Sequence, residues 1–175
     1  MSDLVTDTHV YFYGGILSQW YPCKFRIDTR TYTFNCAEQF MMWNKAIMFK
    51  DYHSMGKIMD TESPKEQKAL GRQVQGFNLE RWHKVARNIV TAGNFAKFSQ
   101  NPELKEYLLS TESKVLVEAS PTDKIWGVGL AKDDPLILDS RNWNGTNWLG
   151  ECLMTVRELL RSSPDMEIEH GYIIA

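Results

Sequence analysis

The sequence predicts a single α+β domain that is mostly helical and contains a small sheet. Three observations support this fold class. The chain has 175 residues, 43% of them hydrophobic, helix-start patterns recur through its middle, and short β-branched or aromatic runs precede and follow them. A chain of this length matches one ordinary domain and buries about 70% of its unfolded surface. We therefore assign residues 9–162 to one domain and residues 163–175 to a C-terminal tail.

The strand signals are short and lie on both sides of the helical region. Residues 10–13 are β-branched and aromatic and end at a Gly-Gly pair, which predicts a strand and a turn. Residues 24–27 and 31–34 flank a short polar segment and predict a hairpin. Residues 114–119 alternate like a strand, and residues 172–175 have the composition of an additional edge strand.

Helix-start signals are frequent between these strands. Asn35 followed by Glu38 fits a capping box and predicts a helix to about residue 48. Ser63, followed by Pro and two residues later by Glu, is a stronger start. Asn78 is a suitable N-cap for a longer helix to about residue 98. Further helices are predicted through the 50s, after residue 101 and over 149–160, and a long loop over 120–146.

Composition and charge exclude several classes of function. The net charge is -2, from 20 basic and 22 acidic residues, which is not the basic excess of proteins that hold a phosphate backbone non-specifically. Three scattered cysteines and four isolated histidines predict neither a disulfide framework nor a metal site. The chain start and the apolar runs predict no signal peptide and no membrane span. We expect an intracellular, cytoplasmic protein, with the nucleus as an alternative, that needs no metal, no cofactor and no obligate protein partner.

Glu38 and Lys45 form an unusual charged pair on an apolar helix face. They lie seven residues apart, so they share one face with Met, Phe and Trp side chains. In the structural interpretation, Glu38 belongs to the capping box and Lys45 extends its amine to solvent. In the functional interpretation, partial desolvation lowers the pKa of Lys45 and makes its amine a base or nucleophile. Pairing with Glu38 would oppose that shift, and the sequence leaves both interpretations open.

Residues 118–130 contain a second group of candidates. Gly127 and Gly129 allow backbone N–H groups to approach a ligand closely, and Trp126 offers a stacking face at the end of a strand. The segment is not a dinucleotide-binding fingerprint, because Lys132 occupies the position of its third glycine. Considered alone, the segment is better explained as a glycine turn with a core Trp.

Two further positions are candidates for binding phosphate. Asn147 is a suitable N-cap for the last helix, and Gly150 lies in its first turn; free N–H groups at a helix start favour an anion. Arg72 ends a predicted short helix, where it either complements the helix dipole or binds phosphate with two hydrogen bonds.

In their order along the chain, these motifs resemble the NADAR family, also called YbiA-like. The resemblance extends from about residue 12 to residue 160. The matching pieces are Leu17-Ser-Gln-Trp-Tyr-Pro-Cys-Lys-Phe25, Cys36-Ala-Glu-Gln-Phe40, Lys45-Ala46, Leu70-Gly-Arg72, Ala96-Lys-Phe98, Leu116-Val-Glu-Ala119, Asp123-Lys-Ile-Trp-Gly-Val-Gly129, Asn147-Trp-Leu-Gly-Glu-Cys-Leu-Met154 and Arg157. The Asp-x-x-Trp-Gly-x-Gly element is quite specific to the family.

The resemblance implies cleavage of an N-glycosidic bond between a ribose phosphate and a nitrogen base. One branch of the family removes ADP-ribose from guanine in nucleic acid or nucleotides; another splits phosphoribosylamino-pyrimidine intermediates of riboflavin synthesis. Both substrates join ribose C1 to an exocyclic amine. We expect an ADP-ribosyl-guanine substrate with ADP-ribose as product, because we expect no fused riboflavin-pathway enzyme and the loops are rich in aromatics. The alternatives are the riboflavin-intermediate N-glycosidase and a non-catalytic ADP-ribose- or NAD-binding module.

The resemblance also implies roles for individual residues. Glu38, Lys45 and Asp123 would be catalytic. Glu38 or Asp123 stabilises positive charge at C1 or shuttles protons, and Lys45 either protonates the leaving amine or attacks the ring-opened sugar as an imine. Arg72 and the start of the last helix would bind phosphate, and Trp126 would pack on the sugar or base. The implied substrate-binding residues are Ser18, Gln19, Arg72, Trp126, Gly127, Gly129, Asn147 and Gly150.

Overall fold

A three-stranded sheet lies between a layer of helices and a long loop. The computed structural model describes residues 2–27, 32–163, 165, 167–169 and 172–174. In the sheet, β1 (Leu4–Val5) pairs antiparallel with β2 (His9–Phe12), which pairs in parallel with β5 (Val115–Glu118). Because two parallel strands need a long crossover between them, most of the helices lie in the chain between β2 and β5.

The two faces of the sheet have different coverings. Val10, Phe12 and Leu116 belong to the main core, which they share with the helices. Tyr11 and Val117 point to the other face, as the two-residue period of a strand requires, and belong to a smaller apolar cluster formed with the loop after β5. The end of β5 is therefore buried from both sides.

The helices form one layer around the long helix α4. Within the described residues they are α1 (Ala37–Met48), α2 (Tyr52–Asp60), α3 (Pro64–Arg72), α4 (Leu79–Gln100), α5 (Pro102–Ser110) and α6 (Trp148–Ser162). Helix α4 packs on both α1 and α6, and α6 packs on β5. A hairpin of β3 (Phe25–Ile27) and β4 (Tyr32–Phe34) covers α1 with stacked and edge-on aromatic rings.

The predicted fold class is confirmed, and most predicted elements lie within a few residues of their observed bounds. The predicted hairpin is present, although its turn, residues 28–30, lies outside the described residues. Strand β1 was not predicted. The predicted long loop contains two short 3₁₀ segments, Pro135–Leu138 and Ser140–Asn142. Near the C-terminus, β7 (Tyr172–Ile174) does not extend an existing sheet but pairs with β6 (Glu167–Glu169).

The start of α1 differs from the prediction by one residue, and the difference changes the interpretation of Glu38. The N-cap is Cys36, not Asn35: its sulfur accepts a hydrogen bond from the Gln39 N–H (3.4 Å). The Gln39 side-chain oxygen in turn accepts from the N–H of Asn35 (2.8 Å). Gln39 therefore takes the position in the capping motif that was expected for Glu38. The Glu38 carboxyl has no capping role.

Close packing at Gly93 gives a test of the helical layer. A methyl group at Gly93 would overlap the Phe40 ring, which other aromatic rings hold in place, whereas a methyl group at Gly56 of α2 meets nothing. We expect Gly56→Ala to raise the free energy of unfolding by about 0.5–1 kcal/mol, as helix propensity predicts. Gly93→Ala should lower it by about 1–3 kcal/mol through overpacking. Urea unfolding measures both variants; equal effects would contradict the described packing of α1 against α4.

Candidate active site

A cavity of about 630 Å³ opens where the end of β5 meets α1, α3 and the start of α4. Its lining combines five carboxyl or amine groups on buried or half-buried residues with aromatic rings and hydroxyls. The lining residues are Tyr13, Gly14, Ser18, Gln19, Trp20, Glu38, Met41, Met42, Lys45, Lys68, Arg72, Phe77, Leu79, Trp82, His83, Glu118, Ser120, Thr122, Asp123, Ile125 and Trp126.

The Glu38 carboxyl is buried and unpaired. Its residue is 6% exposed, and it forms neither a hydrogen bond nor an ion pair with any residue that the structure describes. Burial raises the pKa of Glu38 to about 7, against the pull of Lys68; the nearby Asp123 raises it further, and Lys45 and Arg72 lower it. Near neutral pH the group is therefore present in both protonation states, as a general acid or base requires.

Lys45 is buried beside it, against aromatic rings. Its residue is 9% exposed, and its Nζ lies 4.3 Å from the ring centroid of Phe77 and 5.9 Å from that of Trp82. Burial lowers the pKa of Lys45 more than the charge of Glu38 raises it, and Arg72 adds to the lowering. Desolvation thus outweighs pairing, and the amine is more available as a nucleophile than an exposed lysine.

Asp123 lies across the cavity in a tightly hydrogen-bonded loop. One of its carboxylate oxygens accepts from the N–H groups of Ile125 (2.9 Å) and Trp126 (2.8 Å), and its own N–H donates to Ser120 Oγ (3.0 Å). These bonds fix the carboxylate and the half-buried Trp126 ring relative to each other. Trp126 also contacts the ring of Trp148 edge-on, at 5.6 Å between centroids.

Two cations enter the cavity from α3. Lys68 and Arg72 are one helical turn apart, so they lie on the same face, and both line the cavity. This pair is suited to bind a phosphate group. Lys68 was not among the residues singled out in the sequence, although its spacing from Arg72 was a usable signal.

The loop that carries Ser18 and Gln19 is held by two buried polar side chains of α4. Lys97 Nζ donates to the carbonyl oxygens of Ile16 (2.7 Å) and Ser18 (2.9 Å), and Asn94 Nδ2 donates to the side-chain oxygen of Gln19 (2.7 Å). Burial lowers the pKa of Lys97 to about 8. The carbonyl of Gln19 also accepts from the N–H of Glu38 (2.9 Å), which joins this loop to the start of α1.

The start of α6 does not line the cavity, contrary to the expectation for Asn147 and Gly150. Asn147 adopts a left-handed backbone conformation (φ 54°), and its side chain bonds the N–H of Glu118 and the carbonyl of Leu116. The next two N–H groups, of residues 148 and 149, donate to the carbonyls of residues 125 and 126. Gly150 lets the helix approach the carbonyl of Leu116. Two of the N–H groups at this helix start are therefore already hydrogen-bonded to the loop after β5.

Gly127 and Gly129 also serve packing, and neither lines the cavity. A Cβ atom at Gly127 would lie 2.9 Å from the carbonyl oxygen of Asp123 and 3.0 Å from that of Glu118. Gly129 has a positive φ of 72°, which glycine adopts without strain. Both glycines let the loop fold back on β5, and this close approach places Asp123 and Trp126.

Glu118 is a cavity residue that the sequence reasoning did not assign to the site. It ends β5, and burial raises the pKa of its carboxyl to about 8, with further increases from Asp123 and Glu38 that outweigh the opposing charge of Lys68. The sequence predicted that Glu118 lies in a strand. It did not show that the Glu118 side chain lines the same cavity as residues of α1.

The described residues contain no group of three or more His, Cys, Asp and Glu that could hold a metal ion. None of the described helices is long and apolar enough to cross a membrane.

Residues 11–161 match the model of the NADAR domain. The chain belongs to the NADAR family. The N-glycosidase R617 of Acanthamoeba polyphaga mimivirus is 43% identical over 87% of this chain and 96% of its own length. The solution structure of the Escherichia coli protein YbiA covers 91% of this chain and 88% of its own, with a TM-score of 0.73 and 27% identity. Family and relatives make this NADAR protein an N-glycosidase, which cleaves a bond between a sugar carbon and a nitrogen.

A shorter match extends the range of similar proteins. The chloroplastic riboflavin biosynthesis protein PYRR of Arabidopsis thaliana is 38% identical over 62% of this NADAR chain, and the match covers 17% of PYRR. The domain is thus similar to one part of a much larger protein.

The raised pKa of Glu38 predicts how the stability of this NADAR protein depends on pH. The pKa is about 7 when folded against an ordinary value of 4.5, so the folded state binds more protons than the unfolded state between these values. The free energy of unfolding therefore falls as pH rises from about 4.5 to 7, by at most about 3 kcal/mol for this group. Between pH 5 and pH 8, Glu38→Gln should lose less stability than the wild type, by the amount that Glu38 contributes, as measured by urea unfolding.

The matched control is Glu80→Gln on the exposed start of α4, which should lose as much stability over this interval as the wild type. An equal loss in Glu38→Gln and the wild type would contradict the raised pKa.

Proposed function

We propose that this NADAR protein hydrolyses the bond between ADP-ribose and guanine, releasing ADP-ribose and restoring the base in nucleic acid or nucleotides. The observation that carries the proposal is the convergence of a partly protonated acid, a desolvated amine, a phosphate-binding pair of cations and exposed aromatic rings in one cavity. Cleavage of a sugar–amine bond requires proton transfer, a nucleophile and binding of the substrate, and these groups can supply all three.

The size and rim of the cavity favour the larger of the two candidate substrates. Its volume of about 630 Å³ lies well within the range of small-molecule sites. Trp20 and Phe77 line it and are 42% and 40% exposed, so each ring presents part of its surface to a bound substrate. ADP-ribosyl-guanine carries two bases and two phosphates, whereas the pyrimidine intermediate carries one of each. Two separate aromatic side chains can therefore stack on both bases of ADP-ribosyl-guanine, whereas the pyrimidine intermediate has one base to stack.

The proposed reaction begins with opening of the sugar ring. Glu38 in its protonated form gives its proton to the ring oxygen as the nitrogen lone pair forms a C1–nitrogen double bond. Lys45 in its neutral form attacks C1 and passes a proton back to Glu38. The base then leaves with the electron pair of its C1–nitrogen bond and takes a proton from an acid of the site, and C1 becomes a protonated imine of Lys45.

Water completes the proposed cycle. It adds to C1 of the Lys45 imine, loses a proton to a carboxylate of the site, and the resulting carbinolamine releases the aldehyde and the neutral Lys45 amine. The aldehyde closes to ribose. The side chain of Asp123, held by two N–H groups, stabilises the positive charge that C1 and its nitrogen carry in both imine stages. Lys68 and Arg72 bind the pyrophosphate.

A second candidate is an N-glycosidase of phosphoribosylamino-pyrimidines, as in riboflavin synthesis. The observation that favours it is the similarity to part of the riboflavin biosynthesis protein PYRR. The same acid and amine serve this substrate, because its ribose C1 is also bonded to an exocyclic amine. The two candidates differ in the groups outside the scissile bond.

The imine step predicts covalent trapping at Lys45. Borohydride added during turnover should reduce the imine and add the mass of the reduced sugar nucleotide to the protein. Lys45→Ala should abolish this adduct, and Lys57→Ala, on the exposed face of α2 outside the cavity, should trap as the wild type does. Mass spectrometry of the intact proteins and of their peptides reads the result. An adduct on Lys45→Ala would rule out the imine route.

Substrate choice is tested by a paired turnover assay. The protein is incubated with an ADP-ribosyl-guanine oligonucleotide and, separately, with the phosphoribosylamino-pyrimidine, and released base is followed by mass spectrometry. We expect release from the oligonucleotide. Trp20→Ala should raise KM for that substrate by roughly 10-fold or more, as loss of one stacked base predicts, while Tyr52→Ala, exposed on α2, should not. Release from the pyrimidine alone would replace the first candidate by the second.

A further inference from the structure

Glu118 has a fixed backbone position beside the cavity, and its carboxyl forms no hydrogen bond or ion pair with the residues that the structure describes. Its backbone is held on both sides: the N–H donates to Asn147 Oδ1 (3.0 Å), and the carbonyl accepts from the N–H of Val128 (3.0 Å). The side chain leaves β5 on the same face as Leu116, toward the helical layer, and lines the cavity. Its direction is therefore set by the sheet.

One oxygen of this carboxyl is buried without a partner. Oε2 has no hydrogen bond with any group in the described part of the chain, and a buried polar atom without a partner destabilises the fold. The charged groups that face Glu118 are Asp123 of the following loop, Lys68 of α3 and Glu38 of α1. With burial, the two carboxylates raise the pKa of Glu118 to about 8 despite Lys68. At neutral pH the carboxyl therefore presents one donor and one acceptor.

We propose that Glu118 binds the leaving base and is its proton donor. The proposal rests on the proposed function, in which the scissile bond joins ribose C1 to an exocyclic amine beside a ring nitrogen. Guanine and the pyrimidine intermediate both have this amidine-like edge. The ring nitrogen accepts a hydrogen bond from the Glu118 O–H, and the exocyclic N–H donates to the other carboxyl oxygen.

This arrangement supplies the proton that departure of the base requires. When the C1–nitrogen bond breaks, its electron pair enters the amidine system, and the ring nitrogen takes the proton of Glu118. The base leaves neutral and tautomerises to its amine, and Glu118 becomes a carboxylate. It regains a proton from the water that adds to C1 of the Lys45 imine. Glu38 acts on the sugar side of the bond and Glu118 on the base side.

The test removes the two partners of the proposed hydrogen bond separately and together. The substrates are ADP-ribosyl-guanine and ADP-ribosyl-3-deazaguanine, in which a C–H group replaces the ring nitrogen beside the exocyclic amine. For the wild type we expect kcat/KM to fall by roughly 100-fold or more on the deaza substrate, within the usual range for a general acid. Glu118→Ala should be slowed by a similar factor on guanine and should hardly distinguish the two substrates.

Two further variants separate proton transfer from packing. Glu118→Gln retains a hydrogen-bond donor but has no transferable proton, so kcat should fall while KM for ADP-ribosyl-guanine stays near the wild-type value. Glu38→Gln should be slow on both substrates but should keep the wild-type ratio between them, because it acts on the sugar side. Thermal unfolding of each variant checks that it folds.

A Glu118→Ala protein that keeps the wild-type rate on ADP-ribosyl-guanine would overturn the proposal, as would one with the wild-type ratio between the two substrates. If the wild type cleaves only the phosphoribosylamino-pyrimidine, the proposed substrate is wrong. The same comparison with the matching deaza-pyrimidine then still decides the role of Glu118. A wild type that cleaves neither substrate overturns both proposals.

Discussion

Burial of Glu38 and Lys45 on one face of α1, without a direct ion pair, is the constraint on which the other features of the site depend. A close salt bridge would hold both groups charged and remove an acid and a neutral amine from use at pH 7. Methionine and aromatic neighbours instead keep water away from both groups. The pKa values of Glu38 and Lys45 are therefore both shifted toward neutrality. Burying these groups lowers the stability of the fold, and such shifted pKa values are typical of functional sites.

Hydrogen bonds in the surrounding structure fix the backbone segments on both sides of the cavity. Capping of α1 uses Cys36 and Gln39, which leaves Glu38 free. The buried amine of Lys97 holds the loop that bonds the N–H of Glu38. On the opposite wall, the first residues of α6 bond the loop that carries Asp123 and Trp126. Rigid walls on both sides allow a few unpaired carboxyls to keep defined positions.

The sequence predicted the fold class and most elements, because helix caps, apolar periodicity and β-branched runs act locally. It also pointed to Glu38, Lys45, Asp123 and Trp126, which the structure brings to one cavity. The sequence also predicted phosphate binding at the start of α6, but the structure places this segment outside the cavity. A capping pattern does not reveal that loop carbonyls accept N–H groups of this helix start. Lys68 and Glu118 were missed because an α3 cation and the end of β5 become neighbours only through the crossover. That neighbourhood is tertiary information; the sequence shows only that Lys68 and Arg72 lie one helical turn apart.

The pKa of Glu38 is the property on which the proposed chemistry depends most. Carbon-13 NMR of the protein labelled at glutamate side-chain carboxyls follows each group through a pH titration, and comparison with Glu38→Gln assigns the Glu38 signal. We expect a midpoint near 7, because burial outweighs the opposing charge of Lys68. A midpoint near the ordinary value of 4.5 would show a solvated or ion-paired carboxylate. Glu38 would then be no acid at neutral pH, and the proposed ring opening would have no proton source.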